Sequence, residues 1–497
     1  MNALFLFRRD LRIIDNLSFH HLIHLPNIQK ITPLFIFDPF QIDKTPENRE
    51  YRSVPAIQFL ISSLHSLDNQ LKESLNARLL YFYDSPIVAL EKIWKKTHFN
   101  MIAFNRDFSE YSMRRDQEII DWCNSRNIQV ITDTDSVGAE DLTLHPMQNY
   151  LSPSNKPYVI YGAYYKNAMK LGAPADPIVF HKSAALSKKF VTGRKKIPGE
   201  FPPNKINDFI NPALPANYIP VCIGGRDGAL EILRQIRGGK WANYADMRDD
   251  LAYETTHLSS YMKFGCVSIR EVYAALQESG TSKSKIEALT RQLYWRCFFF
   301  MLARYYHRGY GHSDEFFANV KWRNNVGEAR QMWVDAKTGF PVIDACVREL
   351  LTTGYLHNRG RLLVANFSIK MLQIDPFHSQ WGGQVVFSRL LMDNCYANNY
   401  GNWNNALGPY DLPGFRFGKK GTRSGRIFRD IVKFQKWDRT LAYIRRYLPE
   451  LADVPEKDIY RWNTQWKKYQ NNANVDYPKP MIDFDERIRE YFEITKR

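Results

Sequence analysis

Five short, mostly apolar runs separated by amphipathic stretches dominate the first 132 residues. They occupy residues 3–7, 31–37, 77–83, 101–105 and 128–132. Runs of this length are typical of strands buried on both faces, and the stretches between them are long enough to form crossover helices. The pattern therefore predicts an α/β domain with a parallel sheet over residues 1–132.

Two further regions follow this pattern. Residues 133–220 lose the periodicity and are rich in proline, which predicts a long connector. In residues 221–497 apolar residues recur three and four positions apart, which predicts an all-α C-terminal domain. The clearest helical stretches are residues 228–236, 269–276, 289–305, 342–351 and 361–372.

The composition indicates which kind of partner the protein binds and in which compartment it resides. A net charge of +16 favours a polyanionic partner, such as a nucleic acid or an acidic membrane surface. The 6 cysteines lie far apart with no CxxC motif and no Cys/His cluster. This spacing predicts reduced thiols in an intracellular protein, cytoplasmic or nuclear, and no metal site. No apolar run approaches the ~20 residues of a spanning helix, so no membrane segment is expected.

Two short strings carry polar groups suited to binding. The first is Phe-Arg-Arg-Asp-Leu-Arg at residues 7–12, where the arginines could also simply solvate a loop. The second places the hydroxyls of Thr255, Thr256 and Ser259 at the start of a predicted helix. Such hydroxyls can cap the helix, or they can bind a phosphate beside its N-terminus.

A third string combines an amide, an indole and a guanidinium. Gln292, Trp295 and Arg296 lie three and four positions apart, so they share one face of a helix. That face could hydrogen-bond and stack a base drawn out of a duplex. A lone tryptophan is more often part of a core, and this alternative stays open for Trp295.

Two longer strings reveal a family resemblance. One pairs Lys-Thr-Gly-Phe-Pro-Val-Ile-Asp-Ala (residues 337–345) with Gly-Tyr-Leu-His-Asn-Arg-Gly-Arg (residues 354–361). The other is Asp-Asn-Cys-Tyr-Ala-Asn-Asn-Tyr-Gly-Asn-Trp (residues 393–403). With the shorter strings, they resemble the photolyase/cryptochrome family over residues 1–480. The resemblance implies a Rossmann-like N-terminal domain and a helical C-terminal domain that binds FAD.

The resemblance also implies which side chains hold FAD. The implied set is Tyr244, Thr255, Thr256, Leu258, Ser259, Gln292, Arg296, Asn358, Arg361, Asp393, Cys395 and Asn399. Within it, Asp393 would pair with Arg361, and Asn399 would offer an amide to the flavin ring. Cys395 stands where the family has a second acid, which changes the charge beside the flavin.

The family also uses its N-terminal domain for an antenna chromophore. The resemblance allows a folate or a deazaflavin there, and the sequence does not choose between them. Candidate contacts are Asn105, Arg106 and Asp107, because ligands gather at the carboxyl ends of parallel strands.

The implied catalytic residues are Trp322, Trp381, Trp403, Asn399 and Gln292. The three tryptophans match the family's electron-hopping chain from the surface to the flavin, and indoles are among the most easily oxidised side chains. Extra residues between Asp375 and Trp381 make the match of Trp381 the weakest of the three.

The implied substrate is DNA that contains UV-induced pyrimidine dimers. The side chains assigned to it are Gln292, Trp295, Asn358, Arg359, Asn405, Arg423 and Arg426. The last two belong to a basic segment, residues 416–446, which could bind phosphates or form a solvated face. Asn405 replaces a second tryptophan of the pocket, and the loss of this stacking wall costs on the order of 1–3 kcal/mol of lesion affinity.

The predicted activity is blue-light-driven repair of cyclobutane pyrimidine dimers by a monomeric deoxyribodipyrimidine photolyase, a carbon-carbon lyase, through electron transfer from reduced FAD. Reversal of a (6-4) photoproduct benefits from a histidine acid, and Asn358 and Leu362 hold the two positions where (6-4) enzymes carry histidines. A (6-4) photolyase and a signalling cryptochrome without repair activity stay open as alternatives. A flavin-free nucleic-acid-binding protein does not account for the flavin-facing strings.

Overall fold

A computed structural model of the protein describes most of the chain. The described residues are 1–42, 53–135, 139–190, 196–206, 214, 216–306, 322–323, 325–378, 380–407 and 431–495. Within these ranges, no helix combines the length and the apolar character needed to cross a bilayer.

A six-stranded sheet of order β5-β4-β1-β2-β3-β6 forms the N-terminal domain. Its strands are β1 (Asn2–Phe7), β2 (Lys30–Phe37), β3 (Leu80–Tyr83), β4 (Met101–Phe104), β5 (Gln129–Thr132) and β6 (Glu200–Phe201). Strands β1 to β5 pair in parallel, and each predicted run overlaps one of them. The predicted α/β class is therefore confirmed.

Strand β6 was not predicted. It lies within the predicted connector and pairs antiparallel with β3, where Phe201 stands opposite Tyr81. Two residues are too few to show a periodicity, so the sequence carries no signal for this strand. The connector thus completes one edge of the sheet, and the domain boundaries at residues 132 and 220 stay a prediction.

Helices cover both faces of the sheet. They are α1 (Leu17–His24), α2 (Pro39–Ile42), α3 (Val54–Leu75), α4 (Pro86–Thr97) and α5 (Glu110–Asn124), and the connector adds α6 (Tyr161–Ala168) and α7 (Ala184–Ser187). Helix α3 begins after Ser53, whose hydroxyl accepts the N–H of Ala56. It ends at Asn76, whose backbone is left-handed. These cap residues stop the helix at both ends.

The C-terminal domain is helical, as predicted. Its helices are α8 (Arg226–Arg237), α9 (Tyr244–Met247), α10 (Leu258–Phe264), α11 (Ile269–Gln277), α12 (Lys283–Tyr305), α13 (Gly327–Val334), α14 (Pro341–Thr353), α15 (Asn358–Asn366), α16 (Gly383–Leu390), α17 (Tyr396–Leu407), α18 (Ala442–Tyr447), α19 (Glu456–Ile459), α20 (Trp462–Gln465) and α21 (Phe484–Thr495). A π-helical turn, Phe367–Met371, extends α15.

The loop after β1 joins the two domains. One hydrophobic core runs from the sheet into the helices. The N–H of Leu11 donates to the carbonyl of Phe264 at 3.0 Å. Arg270 forms a buried ion pair with Asp15 at 3.0 Å. This loop is therefore fixed against α10 and α11, and it brings Arg9 to the edge of the helical domain.

Candidate functional site

A cavity of about 380 Å³ lies among the helices of the C-terminal domain. Side chains from α9, α10, α12, α15 and α17 line it. Every residue that the sequence assigned to the cofactor is in this lining, from Tyr244 to Asn399. Segments that are far apart in the chain therefore meet around one space.

Hydroxyl groups line the cavity where α10 begins. They belong to Thr255, Thr256 and Ser259. Thr255 Oγ1 lies 3.0 Å from the hydroxyl of Tyr355, and Thr256 Oγ1 accepts the N–H of Leu258 at 3.4 Å. Hydroxyl groups can rotate to donate hydrogen bonds, so this part of the lining suits a ligand with acceptor oxygens, such as a phosphate.

An ion pair between the half-buried Arg361 and the buried Asp393 connects α15 to the segment before α17. Arg361 Nη2 lies 2.8 Å from Asp393 Oδ2, and Arg361 Nε donates to the carbonyl of Leu356 at 2.8 Å. Asp393 Oδ1 is buried and accepts no hydrogen bond from a described residue. An unsatisfied buried acceptor is costly, so this oxygen is suited to a donor on a bound ligand.

Lys263 and Arg296 in the lining have no carboxylate partner among the described residues, and Arg248 has none either. Arg296 instead donates to the carbonyls of Leu142 and Met262. Burial, together with the nearby charge of Arg9, lowers the pKa of Lys263 to about 8. An anionic ligand would compensate both charges and offset their desolvation.

The lining side of α17 consists of amides. Asn398, Asn402 and Asn405 are three and four positions apart, so they share one helix face, and all three line the cavity. Next to them, Asn399 Nδ2 donates to Ser388 Oγ at 3.0 Å. This hydrogen bond fixes the Asn399 amide against α16.

Trp295 stands in the cavity wall and stacks on Tyr161. The two ring centroids are 3.5 Å apart and the rings are nearly parallel, at 3°. The Tyr161 hydroxyl donates to the carbonyl of Arg291 at 3.1 Å. Gln292 lies on α12 three residues before Trp295. Its Nε2 donates to the carbonyl of Ala288. Tyr161 comes from α6 of the connector, and the sequence did not indicate that it reaches this site.

Two histidines that the sequence did not assign to the site also line the cavity. His357 Nδ1 accepts the N–H of Arg359 at 3.1 Å, and its buried Nε2 has no partner among the described residues. Burial, with the charges of Arg359 and Arg361, lowers the pKa of His357 to about 4. Burial also lowers the pKa of His257. Both imidazoles are therefore neutral at pH 7.

The three predicted electron-transfer tryptophans are not among the side chains that line the cavity. Trp403 is buried on α17 and packs edge-on against Phe387, with centroids 5.0 Å apart. Trp381 is half-buried and stacks on His378 at 3.6 Å. Trp322 is also half-buried and packs against the core. Their role in electron transfer stays a prediction.

The residues assigned to DNA fall into two groups. Gln292, Trp295, Asn358, Arg359 and Asn405 line the cavity. Arg423 and Arg426 lie outside the described residues, as does part of the basic segment 416–446. The contribution of that segment to DNA binding stays a prediction.

A second cavity of about 170 Å³ lies at the carboxyl ends of the central strands. Its charged lining residues are Arg8, Arg9, Asp38, Asp107, Arg115 and Lys263. Of the three contacts suggested by the sequence, Asp107 lines this cavity, whereas Asn105 and Arg106 are not in its lining. Asn105 donates to Asp10 and Asn16 at 2.6 and 2.7 Å, so it holds the loop after β1 in place.

Comparisons with known proteins agree with this arrangement. A family model described as the FAD-binding domain of DNA photolyase matches residues 289–497, and a DNA photolyase model matches residues 3–179. The chain belongs to the photolyase/cryptochrome family. The relatives in this family are named after different types of photolyase. A (6-4) DNA photolyase of Arabidopsis thaliana is 28% identical over 98% of this chain and 87% of the relative.

Two further members extend the comparison. A deoxyribodipyrimidine photo-lyase of Synechococcus sp. is 26% identical over 98% of this chain and 95% of the relative. The solved structure of an archaeal photolyase from Sulfolobus tokodaii, which contains two FAD molecules, has a TM-score of 0.76 at 27% identity and covers 100% of both chains. The family and its fold are thus clear. The names of the relatives do not agree on the type of lesion that is repaired.

Proposed function

We propose that the protein is a light-driven DNA repair enzyme that uses FAD to split cyclobutane pyrimidine dimers. The observation that carries the proposal is the assembly of all the predicted cofactor side chains around one cavity. When bound, reduced and photoexcited FAD would supply an electron to the lesion. The protein would bind and orient the cofactor and the lesion and exclude water.

The lining of the cavity fits FAD chemically. The hydroxyls of Thr255, Thr256 and Ser259 suit the diphosphate, and the uncompensated charges of Lys263 and Arg296 suit an anion. The free Oδ1 of Asp393 suits a ring N–H. The Oδ1 of Asp393 would otherwise be buried at a cost with no partner, which favours a ligand that donates a hydrogen bond to it.

The first test is the cofactor itself. We expect the purified full-length protein to carry noncovalent FAD, visible in its absorbance and released by denaturation. Reconstitution with FAD should restore any that is lost during purification. A colourless protein that takes up no FAD in this step would contradict the proposal.

The histidines of the site favour cyclobutane dimers over (6-4) photoproducts. Opening a cyclobutane ring needs an injected electron and little proton chemistry, whereas reversing a (6-4) adduct benefits from an acid. Asn358 and Leu362 line the cavity at the positions where (6-4) enzymes carry histidines. The low pKa of His357, about 4, leaves that side chain as a neutral imidazole at neutral pH, without the acidic proton of an imidazolium. The similarity to the Arabidopsis (6-4) enzyme supports the alternative.

One assay separates these functions. Chemically reduced protein is illuminated with blue light in the presence of two oligonucleotides, one with a cyclobutane dimer and one with a (6-4) photoproduct. We expect repair of the first only. Repair of the (6-4) substrate alone would identify the protein as a (6-4) photolyase. If an FAD-loaded protein repaired neither substrate, the result would favour a signalling cryptochrome.

Asn405→Trp should strengthen lesion binding. The substitution places a second aromatic ring in the cavity lining, in addition to that of Trp295, on the side where α17 carries amides. Stacking on an aromatic side chain contributes about 1–3 kcal/mol per base, so affinity for dimer-containing DNA should rise by about 5- to 150-fold. The measurement is a titration of matched oligonucleotides with and without one dimer. Asn405→Leu is the control, and equal affinities for the Trp and Leu variants would contradict the prediction.

Trp403→Phe should separate electron supply from repair. The variant should slow the light-driven reduction of oxidised FAD, because phenylalanine is far harder to oxidise than tryptophan. Repair by chemically reduced protein should stay close to that of the wild type. Trp462→Phe is the matched control, since Trp462 is buried in the same domain but was not assigned to the electron chain. Equal losses of photoreduction and of repair would argue against this role for Trp403.

The second cavity is proposed to hold an antenna chromophore. Its place at the carboxyl ends of parallel strands is where such sheets bind ligands. Its mixed lining of acidic and basic side chains suits a polar aromatic molecule. We expect absorbance in the near-ultraviolet or violet beyond that of FAD. A spectrum fully accounted for by FAD, with no change on addition of folate or deazaflavin, would contradict this assignment.

A further inference from the structure

Some side chains line both cavities. They are Arg9, Lys263, Asn394 and Cys395, and we call them the shared wall. They come from the loop after β1, from α10 and from the segment before α17. Any charge on the shared wall therefore acts on ligands in either cavity.

The charge of Arg9 is already compensated. Its Nη1 lies 3.0 and 3.1 Å from the two carboxylate oxygens of Asp107. Its Nε donates to the carbonyl of Lys263 at 3.0 Å, and its Nη2 donates to Cys395 Sγ at 3.4 Å. Burial raises the pKa of Asp107, but the charges of Arg9 and Arg115 outweigh it and lower that pKa to about 2. Arg9 and Asp107 thus act as a neutral pair.

The charge of Lys263 is not compensated in this way. Its Nζ lies 4.6 Å from the centroid of the Phe264 ring and forms no ion pair with a described carboxylate. Of the nearby acids, Asp107 is engaged by Arg9, and Asp393 is engaged by Arg361. A pKa of about 8 still leaves most of the ammonium protonated at pH 7. The shared wall therefore carries net positive charge.

We propose that the ammonium group of Lys263 raises the reduction potential of FAD in the larger cavity, and that Cys395 serves this role by keeping a carboxylate out of the shared wall. A nearby positive charge favours the more negative form of a group, and FAD gains negative charge on reduction. Lys263 would therefore act on FAD through its charge and not by taking part in the reaction. The inference rests on the FAD site proposed above and names the residue that tunes it.

The test compares the affinities of oxidised and reduced FAD for the full-length protein and the midpoint potential of the bound cofactor. In Lys263→Met the preference for reduced FAD should fall by roughly tenfold or more, the size of effect that a close charge has on a titrating group. Tenfold corresponds to a potential about 30 mV lower for a two-electron couple. Lys263→Arg keeps the charge and should stay near the wild-type value.

Two variants test Cys395. Cys395→Asp should lower the potential, because it adds a negative charge to the shared wall. Cys395→Ser should leave the potential unchanged. A rise in Cys395→Ser would show that the thiol already supplies negative charge and would overturn its assigned role.

The outcomes for the two proposals are distinct. A folded, FAD-loaded Lys263→Met protein with the wild-type potential would overturn the inference and leave the FAD site intact. A wild-type protein that binds no FAD would instead overturn the proposed function.

Discussion

Asp393→Ala is expected to abolish FAD binding at micromolar concentrations and to destabilise the apoprotein by about 1–3 kcal/mol. The substitution leaves the half-buried Arg361 beside Asp393's former position, with its Nη2 hydrogen bond lost. This cost is below that of breaking a fully buried pair because part of the remaining guanidinium stays solvated. The free Oδ1 that would accept a hydrogen bond from the cofactor is removed as well.

Two measurements check this prediction. Urea denaturation gives the free energy of unfolding of the apoprotein, and titration with FAD gives its affinity. The double variant Asp393→Ala/Arg361→Met removes both charges, so it should recover much of the stability but not the FAD affinity. An Asp393→Ala protein as stable as the wild type, with unchanged FAD affinity, would show that the pair contributes neither.

The sheet could be predicted from the sequence because its strands are buried on both faces. Such strands appear as continuous apolar runs, and residues 31–37 and 101–105 are clear examples. The edge strand β6 has only Glu200 and Phe201, and its pairing depends on where the connector passes the sheet. Short edge elements of this kind have no local pattern to detect.

The cofactor cavity could be predicted because its residues lie in recognisable strings. The string 393–403 places Asp393 and Asn399 on the lining, and the string 354–361 places Asn358 and Arg361 there. The strings do not indicate what lies behind them. Tyr161 reaches Trp295 only because α6 packs on α12, a tertiary contact between segments more than a hundred residues apart.

The protonation of the site could not be predicted either. The sequence assigned no role in the site to His357, and its Nδ1 caps α15. Its second nitrogen, however, lies buried in the cavity lining, and the resulting low pKa follows from burial and two neighbouring arginines. A pKa shift of this kind depends on the three-dimensional environment and not on the residue type.

Gly265→Ala is expected to destabilise the protein by about 2–5 kcal/mol and to weaken FAD binding. Gly265 ends α10 with a φ of +66°, a conformation that costs a non-glycine residue about 1–2 kcal/mol. An added Cβ would lie 2.1 Å from the carbonyl oxygen of Arg9 and 2.5 Å from Asp10 Cα. These are backbone atoms that cannot rotate away, and overpacking adds about 1–3 kcal/mol.

The clash should act on the site as well as on stability. Separating α10 from the loop after β1 would break the hydrogen bond from Leu11 to Phe264 and the one from Arg12 Nη1 to the carbonyl of Gly265, at 3.2 Å. It would also displace Arg9 from the shared wall, and α10 carries Lys263 and Ser259 of the lining. FAD affinity should therefore fall together with stability.

Gly280→Ala is the matched control for this prediction. Gly280 has a φ of +64°, nearly the same as Gly265, but an added Cβ would meet no atom within 4 Å. It should therefore cost only the conformational part, about 1–2 kcal/mol, and leave FAD binding unchanged. Urea denaturation and FAD titration of both variants isolate the contact between the domains. Equal effects in the two variants would show that the approach of Gly265 to Arg9 does not hold the site together.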